Sequence, residues 1–180
     1  NPALDKHLNK VDYCFLRGLD PLKEATVSDF NKIFLSERER FLRMENPDAL
    51  PDEEAKAIRE AAEELKDEPD LKKIYHELEH GSDELPGVPT VAAGIHYLIR
   101  WQLEVGDTVR LTTASDAGEV SKDKKFLIVA GFSTGRHEFD RRLLIMSVPA
   151  LQDLVGVSGR VTGYSIRLDD YNNASVAKGR

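Results

Sequence analysis

The chain has 180 residues, of which 32% are charged, and a formal net charge of −7. That surplus of acid excludes the basic face through which proteins bind nucleic acids or anionic membranes, and no apolar run reaches the roughly 18 residues a membrane-spanning helix needs. The length fits one domain, or one domain with an appendage.

The acid is unevenly placed. From Glu37 to Glu84 there are 17 acidic and 8 basic residues, a net of −9, whereas the rest of the chain holds 15 and 17, a net of +2. One segment therefore carries the whole imbalance. The single cysteine, Cys14, excludes an internal disulfide. The polar start NPALDKHLNK does not look like a signal peptide, and the chain reads as a piece of a longer protein.

In chain order, Val11–Arg17 has the β-branched, aromatic and apolar content of a strand, with Cys14 as a buried small apolar residue. Gly18 to Pro21 reads as a turn. Ser28–Leu35 reads as a short helix with Ser28 as its N-cap. Ser36 to Met44 is compatible with a helix that Asn46-Pro47 stops. Pro51–Lys66 predicts a helix with a stripe of Ala55, Ile58, Ala61, Ala62 and Leu65, its acidic first turn suiting the positive end of the dipole. Asp70–His80 predicts another, with a stripe of Leu71, Ile74, Tyr75 and Leu78 and Gly81 as C-cap. Together the two suggest an antiparallel helical hairpin that must lean on something.

After a Gly- and Pro-punctuated linker, the β-forming residues gather. Thr90–Ala93 reads as a short strand and Ile95–Leu103 as a helix facing inward with Ile95, Leu98, Ile99 and Leu103. Val105-Gly106-Asp107 turns the chain into a strand at Thr108–Thr113. Lys124–Gly131 is a strand buried on both sides, with Phe126, Ile128 and Ala130 on one face and Leu127 and Val129 on the other. A strand at Leu143–Ser147, a helix near Pro149–Val155 and an alternating strand at Val161–Leu168 close the sheet. The fold class expected is α+β: a mixed β-sheet framework with short helices and an inserted acidic helical hairpin. The divisions expected are 1–35 for the first strand and turn of the core, 36–89 for the acidic helical insertion and linker, and 90–180 for the β-rich core.

Three motifs invite catalytic readings. His76-Glu77-Leu78-Glu79-His80 fits the H-E-x-x-H spacing that sets two imidazoles on one helical face for zinc, with Glu as base. At about 100° per residue, however, both histidines lie opposite the apolar stripe and point to water. Glu79 adds a charge between them, and no third ligand comes after them. Gly131-Phe-Ser-Thr-Gly135 fits G-x-S-x-G after a strand, but the nucleophile elbow also needs a helix after it and then an acid and a histidine in that order. Only His137 comes after Ser133, and too little chain remains for the rest of that fold. Ser175-Val-Ala-Lys178 fits S-x-x-K without its companion motifs. His96 and Trp101 read as structural. No catalytic, cofactor-binding or metal-ligating residue is expected, and a zinc-dependent hydrolase using His76, Glu77 and His80 is the alternative.

Three ordered blocks carry a resemblance. The run Gly94 to Leu111 (GIHYLIRWQLEVGDTVRL) resembles the G-x-x-L-A-x-x-L-x-V-x-x-G-D-x-V-x-L segment in the extracytoplasmic domain of FtsX-like and MacB-like ABC-transporter permeases, the lipoprotein-releasing LolC/LolE type above all. Phe126 to Asp140 (FLIVAGFSTGRHEFD) resembles that family's F-x-V-x-G-x-F-x-T-G-x-x-E-F-D. Leu151–Gly156 and Val161–Leu168 fit the family's next segments, and Leu16 to Ser28 resembles the strand and turn that open the domain. The resemblance covers about half of the chain.

It implies a non-enzymatic domain held on the periplasmic side of the inner membrane, coupling membrane-helix motion to export or release of a substrate such as a lipoprotein. The partners it implies are the transmembrane part of the same permease, a cytoplasmic ATPase subunit acting through the membrane helices, a second permease copy and a periplasmic carrier or cargo. No nucleic acid and no cofactor are expected. Two departures stand out: the acidic segment Ser36–Glu84 looks like an insertion, and the loop Thr113–Asp123 is short and polar. Within that loop, Ala114, Ser115, Asp116, Ala117, Gly118 and Glu119 are the expected partner contacts.

Overall fold

Strands β1 (Phe15–Leu19), β2 (Thr90–Gly94), β3 (Thr108–Thr112), β4 (Asp123–Phe132) and β5 (Leu143–Ser147) form one sheet in the order β1-β5-β2-β4-β3. This computed structural model describes residues 13–113, 123–163, 165 and 167. Helices α1 (Pro21–Val27), α2 (Glu37–Glu45), α3 (Asp52–Ala62), α4 (Leu71–His80), α5 (Ile95–Trp101), α6 (His137–Arg142) and α7 (Val148–Val155) complete an α+β fold.

The sheet is mixed. β5 runs parallel to β1 and antiparallel to β2, while β4 runs parallel to β2 and antiparallel to β3. All five residues of the central strand β2 are buried. Both of its faces are covered, so it reads as a continuous apolar run without alternation.

Layers on both faces bury the sheet. On one face Phe30, Phe34, Ile74, Tyr75 and Leu78 pack over Ala92, Leu127, Val129 and Ile145. The rings of Phe30 and Phe34 meet edge to face at 5.0 Å, and Tyr75 stacks on Phe30 at 6.1 Å. On the other face Ile95, Leu98 and Leu154 pack over Val91, Ala93, Phe126, Ile128, Leu144 and Met146. Each fully buried Leu, Ile or Phe contributes about 1.5–3 kcal/mol, so both layers are needed.

The alternation of β4 breaks once. Val91 pairs with Ile128 but Ala92 pairs with Ala130, so Val129 is an extra residue. This β-bulge moves Ala130 to the Leu127 face, not the Phe126 face its spacing predicts.

Gly18 to Pro21 is not a turn. Gly18 and Leu19 end β1, and Asp20 caps α1 by accepting from the Lys23 backbone N–H at 3.1 Å, with Pro21 at the first helical position. Ser28 lies at the C-terminal end of α1, and a 3-10 turn over Phe30–Ile33 replaces the expected helix. α2 begins as its sequence suggests. Ser36 and Glu39 form a capping box, each side chain meeting the other's backbone N–H.

The two acidic helices are present, but they part company. α4 lies on the sheet against β2, β4 and β5, whereas α3 packs on α2 and the Pro47–Ala49 turn. α4 therefore belongs to the core, and Ile74, Tyr75 and Leu78 are its contribution.

The expected strand at Val161–Leu168 does not form among the described residues. Val161, Thr162, Gly163, Ser165 and Arg167 are exposed and carry no strand assignment. Residues 164, 166 and 168 lie outside the described set.

Candidate functional site

The G-x-S-x-G run is the end of β4 and the turn into α6. Gly135 turns the chain at φ +74°, where only glycine adopts the backbone without strain. Asp140 of α6, 1% exposed, faces back onto this turn. Its Oδ2 accepts from the Ser133 hydroxyl at 2.8 Å. Its Oδ1 accepts from the Thr134 backbone N–H and hydroxyl, both at 2.7 Å. A buried carboxylate needs such partners to offset its desolvation.

Ser133 is therefore placed as a turn residue. Its hydrogen is directed at Asp140, and its oxygen accepts from Arg43 Nη1 at 3.3 Å. His96 and His137 face each other, ring centroids 4.2 Å apart, and neither hydrogen-bonds Ser133 among the described residues. Burial holds the His96 imidazole below its ordinary pKa, helped by His137 and Arg43 nearby and opposed by Asp140.

On α4, His76 and His80 are exposed side by side, ring centroids 4.9 Å apart. Glu77 turns the other way and is buried. Its carboxylate accepts from the Ser82 hydroxyl at 2.8 Å, and its backbone carbonyl accepts from the Thr90 hydroxyl at 2.5 Å. The Glu of the H-E-x-x-H run thus ties α4 to the start of the strand beneath it, on the side away from the imidazoles. Among the described residues no three His, Cys, Asp or Glu side chains gather as metal ligands.

A cavity of about 580 Å³ lies between α2, α3 and α5, and no sequence motif marks it. α2 and its cap supply Arg38, Leu42, Arg43 and Asn46; α3 supplies Arg59 and Glu63; α5 supplies Ile95, His96 and Ile99. Pro47 and Asp48 complete the wall. Three of the four arginines of the acidic segment converge here. In sequence only Arg38 and Leu42, four residues apart, share a side of α2; nothing there groups Arg43 or Arg59 with them. The fourth, Arg40, lies under Gly131, and burial lowers its pKa.

The expected contact loop, Ala114 to Glu119, lies outside the described residues. Its base is held beside α7. Thr113 donates to the Leu154 carbonyl at 3.2 Å, Arg110 pairs with Asp123 at 2.7 Å, and Lys124 pairs with Asp153.

No protein-family model matches the chain, and no curated protein matches it significantly.

Proposed function

We propose that the chain is the extracytoplasmic domain of an FtsX-like ABC-transporter permease, coupling movement of membrane helices to export or release of a substrate such as a lipoprotein. One geometric observation carries this reading. β1 rises parallel to β5, and α7 leaves the far end of β5 and returns along β1. Leu151 of α7 lies so close to Gly18 that a Cβ there would sit 2.9 Å from its Cδ2. The chain between Cys14 and Val155 thus enters and leaves at the same edge of the sheet. A domain spliced between two membrane helices needs both tethers on one side.

The resembling blocks support it further. Gly94 to Leu111 spans the end of β2, α5 and β3, and Phe126 to Asp140 spans β4, its turn and α6. The signature residues Gly106, Asp107, Gly135 and Asp140 are those that shape turns and lock them. Among the described residues no helix is long and apolar enough to cross a membrane, so the anchors this reading requires lie outside them.

The test is topology. A cysteine introduced at Lys72, on the exposed side of α4, is labelled in intact cells that make the full-length protein, using a membrane-impermeant maleimide. Labelling from outside the inner membrane supports the reading, and labelling only after lysis overturns it. The zinc-hydrolase alternative instead requires stoichiometric zinc in the purified protein, lost in His76→Ala.

A further inference from the structure

We propose that the cavity between α2, α3 and α5 is a binding site for a small amphiphilic oxyanion, a phosphate or carboxylate head on a short apolar body. This inference does not depend on the permease reading. It begins from a charge placed against the local trend. The segment that carries a net of −9 sends Arg38, Arg43 and Arg59 into one cavity wall. Two of these are partly satisfied: Arg59 pairs with Asp48 at 2.8 Å and Arg38 with Asp67 at 3.6 Å. Arg43 has no carboxylate partner among the described residues. Its one hydrogen bond there goes to the neutral Ser133 hydroxyl.

A guanidinium carries five N–H donors in a planar fork that matches carboxylate and phosphate oxygens. Arg43 therefore presents unused donors to the cavity, and Arg38 and Arg59 flank it. Of the acids in the wall, Asp48 is taken by Arg59, which leaves Glu63 as the one opposing charge. With His96 neutral the wall holds three positive and two negative groups, a net of +1.

The other part of the wall is apolar. Leu42, Ile95 and Ile99 present hydrocarbon, and Ile99 is 36% exposed at the rim. The volume lies within the range that holds small organic ligands. A bare inorganic ion would leave that hydrocarbon uncovered, whereas an alkyl-bearing anion would cover it.

Isothermal titration calorimetry on the intact chain tests this with hexyl phosphate, inorganic phosphate and hexyltrimethylammonium. Saturable binding of hexyl phosphate is expected. Inorganic phosphate should bind at least ~10-fold more weakly, because the apolar wall goes unused. In Arg43→Gln, which keeps a good helix former on α2, hexyl phosphate binding should weaken at least ~10-fold. Ile99→Glu, which sets a carboxylate at the rim, should abolish it. Thermal unfolding curves of both variants show whether the fold is kept. Absence of saturable hexyl phosphate binding overturns the proposal, as does equal binding in a folded Arg43→Gln protein or equal binding of the cationic probe. Inorganic phosphate binding as tightly as hexyl phosphate overturns the amphiphile class. Arg43-dependent co-sedimentation with phosphatidic acid vesicles, without uptake of hexyl phosphate, overturns it in favour of a membrane-surface contact.

Discussion

Replacing Asp140 by alanine isolates the contact that ties α6 to the end of β4. The carboxylate accepts three hydrogen bonds, one from Ser133 and two from Thr134. A hydrogen bond to a charged group nets about 1.5–3 kcal/mol, so the gross loss is about 4.5–9 kcal/mol. Two effects reduce it. Ser133 and Thr134 are only half-buried, so water can reach their donors. Removing the carboxylate also relieves its own desolvation. A net cost of about 3 kcal/mol remains, which lowers Tm by roughly 6–12 °C in a chain of this size.

The amide variant sharpens the test. In Asp140→Asn one oxygen keeps both Thr134 donors, and the Ser133 hydroxyl can turn to accept from the new NH₂ group. The cost should fall to about 1–2 kcal/mol. Urea unfolding followed by far-UV circular dichroism measures both, and an unchanged m-value shows that stability alone has moved. If Asp140→Ala stays within about 0.5 kcal/mol of the parent, or if Asn costs more than Ala, the hydrogen-bond account fails.

Gly94→Ala should cost about 3 kcal/mol or more, because its Cβ would sit 2.2 Å from the Asp140 carbonyl oxygen and backbone would have to move. Gly131→Ala should cost only about 1 kcal/mol, because the atoms it meets belong to the side chains of Arg40 and Leu98; equal melting points for the two variants would contradict this. Leu78→Ala in α4 should lose about 2–5 kcal/mol by urea titration, and a chain lacking Ser36–Glu84 should show no cooperative melt, whereas retained cooperativity would place α4 outside the core. The lowered pKa of His96 makes its native state bind protons less readily than the unfolded chain, so its contribution to stability is present above the ordinary histidine pKa and falls as pH drops below it. Burial sets this lowering first, His137 of α6 and Arg43 of α2 add to it, and Asp140 of α6 opposes it. His96→Gln should therefore flatten the pH dependence of the urea midpoint between neutral pH and the acid side of the histidine range, and an unchanged profile would refute it.

The sheet is largely legible in the sequence because its central strands are buried on both faces. Continuous apolar runs such as Phe126–Ala130 and Leu143–Met146 have no alternative to being strands inside a sandwich of helices. The differences have specific causes. Asp20-Pro21 reads as turn punctuation, yet the same pair serves as a helix cap and a first helical residue, and only the residues after Pro21 decide between the two. α6 is invisible in the sequence because six largely polar residues carry no readable period. The bulge at Val129 leaves no mark in a run of apolar residues. Two apolar stripes that each need a partner suggest a helical hairpin, but a stripe does not say which partner, and the sheet took α4 while α2 took α3. The arginine-lined cavity is illegible for the same reason: net charge sums over a segment, and only the packing of three helices brings Arg38, Arg43 and Arg59 to one wall.

The pairing of β1 with β5 also sets an order of assembly. Thr90–Phe132 contains β2, α5, β3 and β4, which contact one another across short connections and can collapse as a unit. Phe15 instead pairs with Leu143, across nearly all of the described chain. Of the described strands β1 is made first, its described partner β5 comes last, and loop-closure entropy makes such distant pairing the late step. The first of the described strands to be made is thus the last of them to dock. The same edge, α7 packed on β1, is then the part that can open while the inner strands stay folded.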